Sequence, residues 1–176
     1  MKHMICLFSL LGAAAMVGAQ TVYTVNIPTT GTYNMSTLPW SPSVPPAGGG
    51  TNVQLVFGSG IADEVKYTVV NDLLDENGAF TLNSITFTNS IATFNGGRLV
   101  FAANGGTLPT AFMMQPSTKN YQTLNADVEL AADTTFGGIS YVRIYGTVSG
   151  AGTLIVDALN TEVGLWNDNA NTYTGG

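Results

Sequence analysis

The chain is poor in the side chains that most chemistry uses. Its single cysteine, Cys6, and single histidine, His3, lie close together at the start, and Arg98 and Arg143 are its only arginines in 176 residues. Charged residues make up 9% of the sequence, and acidic groups outnumber basic ones by 11 to 5, for a formal net charge of −6. Such a Lys-poor, acidic chain lacks the clustered cations that bind phosphate, so nucleic acid and anionic lipid are excluded as partners. Beyond the first 19 residues no apolar run approaches the ~20 residues that span a bilayer. A sustained 3.6-residue apolar period is also missing, the best helical candidate being the short stretch from Val69 to Leu74.

The beginning reads as a secretory signal peptide over residues 1–19. Lys2 supplies a positive start, Met4 to Leu11 an apolar stretch that Ala13 to Ala15 extend, and Val17-Gly18-Ala19 a small-residue cleavage site before Gln20. Cys6 sits within the apolar stretch rather than at a lipidation site. Cleavage after Ala19 predicts a secreted or cell-surface chain with a charge of about −7. That chain keeps neither cysteine nor histidine, which excludes disulfides, Ser-His-Asp and Cys-His catalysis, and zinc held by histidine or thiolate. Its stability has to come from packing or from repetition.

Threonine, asparagine, serine and glycine supply the polarity, a composition suited to sheets with stacked hydroxyl and amide side chains and tight turns. Thr21 to Ile27 alternates and predicts an opening strand. The run from Pro39 to Gly50 concentrates structure breakers and predicts an exposed linker or capping loop, so residues 20–51 form an N-terminal strand and loop and residues 52–176 the main region. There, short strands are predicted over Val53 to Phe57, Val65 to Val70, Phe80 to Thr88, Arg98 to Phe101, Ala111 to Met114, Val128 to Leu130, Tyr141 to Tyr145 and Thr153 to Val156. Turn signals such as Asn77-Gly78, Asn95-Gly96-Gly97 and Gly137-Gly138 separate them. The chain is all-β, either an open-ended β-solenoid or a closed β-sandwich, and no strict period is visible before Gly150.

The last thirty residues narrow the choice. Gly150-Ala151-Gly152-Thr153-Leu154, followed by Asn171-Thr172-Tyr173-Thr174-Gly175-Gly176, resembles the autotransporter-associated β-strand repeat, or passenger-associated transport repeat, of long secreted bacterial proteins. The resemblance covers residues 146–176, with a weaker likeness of pattern back to Phe80. It implies a right-handed parallel β-helix, a non-catalytic surface or adhesin-like role without cofactor or catalytic residues, and an N-terminal fragment of something longer whose uncovered end self-associates. Within it, Gly150 and Gly152 are expected to supply positive φ angles, Leu154 and Val156 to point inward, Asn171 to hydrogen-bond its turn, Tyr173 to lie over the apolar edge, and Gly175-Gly176 to form a corner. The segment from Asp157 to Asp168 is longer than the link usual in that repeat.

Other chemistry has plainer explanations beside it. Asp63, Glu64, Asp72, Asp75 and Glu76 offer oxygen ligands for calcium but match no calcium signature, and are expected to be solvated turns. Asp127 and Glu129, two apart on one strand face, and Asp133 nearby could serve a polysaccharide lyase or hydrolase, with Arg98 or Arg143 beside a substrate carboxylate. The same residues suit exposed strand faces. Trp40 and Trp166 could stack on sugars in a carbohydrate-binding module; the expectation is instead that Trp40 pins the proline-rich loop and Trp166 packs on the core. Met113-Met114 is expected to pack in the core. The partners this leaves are a surface polysaccharide or a host or matrix surface.

Overall fold

Short runs of alternating residues suit strands that bury one face, and the computed structural model is built from strands of three to six residues. It describes residues 18–58, 65–88, 90–114, 121–139, 141–158, 162–168 and 170–175, apart from the side chains of residues 112–114 and 158. The signal segment up to residue 17, Asp63, Glu64, Gly176 and the Met113-Met114 side chains therefore lie outside the described set. The strands are β1 (Thr21–Asn26), β2 (Gly31–Asn34), β3 (Val53–Gly58), β4 (Lys66–Val70), β5 (Ala79–Leu82), β6 (Ser84–Thr88), β7 (Ile91–Asn95) and β8 (Arg98–Phe101). They continue with β9 (Thr110–Met114), β10 (Tyr121–Leu124), β11 (Asp127–Leu130), β12 (Thr134–Gly138), β13 (Tyr141–Ile144), β14 (Val148–Gly150), β15 (Leu154–Ala158) and β16 (Val163–Leu165).

Three sheets hold these strands. The first runs β1-β3-β6-β9-β12-β15, the second β2-β4-β7-β10-β13-β16, and the third β5-β8-β11-β14. From β3 onward the chain therefore visits the sheets in strict rotation, and each circuit lays its strands beside those of the circuit before. All pairings between these strands are parallel, unlike the antiparallel sheets of an immunoglobulin-type sandwich. Residues 21–34 enter the same first and second sheets through β1 and β2.

Register places like on like. In the first sheet Tyr23, Leu55, Ile85, Ala111, Phe136 and Val156 form one inward column. In the second, Tyr33, Val69, Phe94, Leu124, Ile144 and Leu165 form another. Phe80 and Leu82, then Leu99 and Phe101, then Val128 and Leu130 continue this on the third sheet. Phe57 stacks on Phe87 at 5.1 Å and meets Phe94 edge-on at 6.1 Å, joining the first two sheets. Each such buried side chain contributes roughly 1.5–3 kcal/mol of transfer free energy.

Polar side chains fill the column where apolar ones do not. Gln122 is fully buried; its Oε1 accepts the Ala92 N–H at 2.7 Å, and its Nε2 donates to the Ser90 carbonyl at 2.5 Å. Both groups precede the point at which β7 and β10 pair directly, so the amide replaces missing ladder bonds. Ser90 Oγ in turn donates to Tyr67 Oη at 3.0 Å. Burial pushes the Tyr67 hydroxyl well above its ordinary pKa, the Ser90 contact opposing it.

Sequence and structure differ at several places. The stretch from Phe80 to Thr88 is two strands bent at Asn83, which is buried and donates to the Ala102 and Thr107 carbonyls at 3.1 Å. The helical candidate contains the end of β4, and the described residues form no α-helix. A period is present before Gly150 as well: from β10 to β13 each residue pairs with the one twenty positions on, Tyr121 with Tyr141 and Leu124 with Ile144.

Candidate functional site

The acidic residues with catalytic potential are tied to the scaffold. Asp127 Oδ1 accepts the Thr147 N–H at 2.8 Å and Asp133 Oδ1 accepts the Thr153 N–H at 2.9 Å, each spanning 20 residues to the next circuit. These carboxylates close corner donors that the ladder leaves unpaired. Glu129, on the same outward face as Asp127, sits 3.2 Å from Arg98 Nε, an ion pair by distance whose angle falls short of a hydrogen bond. Both side chains are substantially exposed, so the pair is worth little. A shallow depression of about 410 Å³ beside them is lined by Asn77, Arg98, Asn125 and Asp127 among others, and its charged groups are the ones already engaged.

Asp72 and Asp75 likewise serve the backbone. Asp72 accepts the Ser36 N–H at 2.8 Å and the Ser36 hydroxyl, fastening the turn after β2. Partial burial pushes its carboxyl up, but the two Ser36 donors outweigh this and hold it below the usual range. Asp75 accepts from the Ala79 and Asn77 N–H groups at 2.9 and 2.8 Å, the Ala79 bond doing most to lower its pKa. Among the described residues no three histidine, cysteine, aspartate or glutamate side chains group as a metal site.

The described residues of the repeat-like segment form a further circuit. Thr153 carries the Asp133 contact, Leu154 opens β15 in the first sheet, and residues 171–175 lie along β14 in the third. Thr172 and Thr174 N–H groups donate to the Val148 and Gly150 carbonyls at 2.8 and 2.9 Å, and Asn171 Oδ1 accepts the Val148 N–H at 2.9 Å. Tyr173 packs, partly buried, against the core cluster. Gly150 has the positive φ, 108°; Gly152 does not, and its glycine is required for a different reason. A Cβ there would lie 2.2 Å from the Ala132 carbonyl oxygen, and one on Gly175 would lie 2.4 Å from Gly152. The corners stack too closely for side chains.

The two tryptophans part company. Trp40 is 7% exposed, meets Phe57 edge-on at 5.1 Å and donates from Nε1 to the Met35 carbonyl at 2.8 Å, so it does pin the loop. Trp166 does not pack on the core; it is 53% exposed on the outer face of the second sheet. The cause is strand parity. Val163 and Leu165 take the inward positions over Val142 and Ile144, which sends Gly164 and Trp166 outward.

On that face Trp166 joins a cluster. Its ring lies 6.5 Å from Tyr145, and the guanidinium carbon of Arg143 lies 4.7 Å from the Trp166 ring and 3.3 Å from that of Tyr121. Tyr121 and Tyr141 are 5.2 Å apart. Sequence reasoning took Arg143 for a lone strand cation and missed the grouping; the signal was the twenty-residue spacing of Tyr121 and Tyr141, with Arg143 and Tyr145 at the alternate positions that follow. With this geometry in view, similarity adds nothing: no family model matches the chain, and no curated protein or solved structure matches it.

Proposed function

We propose that this chain is a non-catalytic, exported surface module, built as a right-handed parallel β-helix of the kind found in autotransporter passengers and serving as a stalk or adhesin-like element. The observation that carries the reading is the rotation of the chain through three parallel sheets, with β15, β16 and residues 171–175 laid down as one more circuit. Right-handed crossover is the hand that parallel strands of L-residues strongly prefer. The commitment of Asp127, Asp133 and Glu129 to backbone N–H groups and to Arg98 supports a structural use of the residues a hydrolase would need free. Repetition of this kind adds length at little cost in new interactions and presents long outward faces, suited to a surface polysaccharide or matrix partner.

Fractionation and mass spectrometry of cells making the chain test it. The expected outcome is exported or surface-accessible material beginning at Gln20 and no release of reducing ends or unsaturated products from acidic or neutral polysaccharides. Intracellular material retaining residues 1–19, or turnover of any polysaccharide, refutes it.

A further inference from the structure

We infer that the outer face of the second sheet is a glycan-binding site, selective for sugars bearing a carboxylate, centred on Arg143 and Trp166. This deepens the surface-module reading and rests on it. Three columns meet on that face. Asn95, Asn125, Tyr145 and Trp166 follow one another along one edge, with Asn125 Nδ2 donating to Asn95 Oδ1 at 2.8 Å. Thr68, Thr93, Thr123, Arg143 and Gly164 form the middle column. Tyr121 and Tyr141 lie on the other side.

Gly164 is what lets the rings meet the cation. A Cβ there would fall 2.2 Å from Trp166 Nε1, so the indole folds back over this position and reaches the guanidinium. Arg143 is thus held between two aromatic faces. Its Nε is buried without a hydrogen-bond partner, and among the described residues no carboxylate pairs with it, in a chain where Arg98 has found Glu129. Aromatic contact fixes the planar fork while leaving its charge uncompensated, an arrangement that a ligand carboxylate completes.

The surroundings favour a sugar over a protein partner. Protein interfaces need an apolar centre, whereas the rings here are bordered by Thr93, Thr123, Asn95 and Asn125, short neutral groups that exchange hydrogen bonds with hydroxyls. Trp166 and Tyr145 stay 53% and 42% exposed after their mutual contact, leaving aromatic surface for the C–H face of a pyranose. Exposed aromatic clusters of this kind mark binding sites.

Affinity electrophoresis of the purified 20–176 chain in gels containing alginate, polygalacturonate or hyaluronate, with dextran as the neutral control, tests the proposal. Retardation is expected with at least one carboxylated polymer and not with dextran. Trp166→Ala should weaken it by about thirtyfold, on the scale of losing one hot-spot contact, and Arg143→Gln should bring it to the dextran level. Unchanged circular dichroism and melting temperature verify that both variants fold. No retardation by any of the three acids, equal retardation by dextran, or retardation left undiminished by Trp166→Ala or by Arg143→Gln overturns the proposal. So does self-association abolished by Trp166→Ala in the absence of glycan binding. An exported, inert chain that binds no acidic glycan loses this site alone, while one that binds alginate and also depolymerises it loses the surface-module reading instead.

Discussion

The two ends of the stacked sheets are finished differently. At the first end Met35, Leu38 and Trp40, from the turn after β2 and the loop beyond it, are buried and lie over the opening of the core, with Trp40 against Phe57. At the last end Val156 occupies the inward column above Phe136 yet is 50% exposed, and Leu154, Val163, Leu165 and Tyr173 are only partly buried. The inward Val25 of β1 is thus dry at the first end, with Tyr23 and Tyr33 half-buried beside it, whereas Val156 at the other end is wet. The difference shows that register alone does not bury a side chain in a stack of circuits; the next layer does.

Removing the closure should have the largest effect. Trp40→Ala deletes a buried ring and its hydrogen bond to the Met35 carbonyl, which keeps only the longer Leu38 N–H contact, a loss of roughly 3–5 kcal/mol for such truncations. At about 2–4 °C per kcal/mol for a chain of this size, the melting temperature should fall by roughly 10 °C. A fall of only a degree or two would mean that the Pro39–Gly50 loop closes nothing.

At the other end the sharpest break is Gly152→Ala. Its added Cβ would strike the Ala132 carbonyl oxygen, and backbone cannot step aside as a side chain can. The cost should be roughly 1–3 kcal/mol. It should appear as loosening of the last circuit, with faster amide exchange at Thr153, Thr172 and Thr174 while the β3–β8 amides keep their protection. Uniform loss of protection along the whole chain would refute separate behaviour of the two ends.

How much of this was legible follows from parity and from insertions. Strand content was readable because inward positions alternate, and the predicted Arg98 to Phe101 run is β8 itself. β10 was missed because its inward Gln122 breaks the apolar signal, and β12 because Gly137 and Gly138 read as a turn. The repeat was obscured by uneven circuits: Arg98 pairs back with Ala79 and forward with Asp127, a short return and a long one, before the spacing settles at twenty. Aspartates 127 and 133 show the twenty-residue step once their partners Thr147 and Thr153 are known, but sequence alone does not say that a carboxylate bonds the next circuit's backbone. The Trp166 misplacement was avoidable, since the alternation Val163, Gly164, Leu165, Trp166 already puts the indole opposite the two apolar residues.

A smaller effect tests how the first end is fastened. The Asp72 carboxyl has a folded pKa below its unfolded one, so its contribution is present above the ordinary aspartate range near 3.9 and disappears as pH falls through the lower folded value. Stability should therefore decline on acidification below about pH 4 more steeply in the parent chain than in Asp72→Asn. Because Asp72 is largely exposed, the difference at neutral pH should stay near or under ~1 kcal/mol. Parallel pH profiles for the two chains would show that the Ser36 contact contributes nothing to the closure.

The smallest effect is predicted where the inward column runs out. Val156 takes the position that Ile85 and Phe136 fill in earlier circuits, but it already contacts water over half its surface. Truncation there leaves no sealed cavity, so Val156→Ala should cost less than ~1 kcal/mol, under half of what an equivalent truncation costs in a closed core. Chemical denaturation of the purified 20–176 chain measures it directly. A loss of 2 kcal/mol or more, about the penalty of a buried aliphatic truncation, would mean that something covers this end in solution. Sedimentation then distinguishes a second copy, which would make the loss depend on concentration, from a fold-back of the same chain, which would not. Either result would turn the unequal ends into an assembly surface, while a near-neutral Val156→Ala beside a severe Trp40→Ala keeps the comparison as the structure draws it.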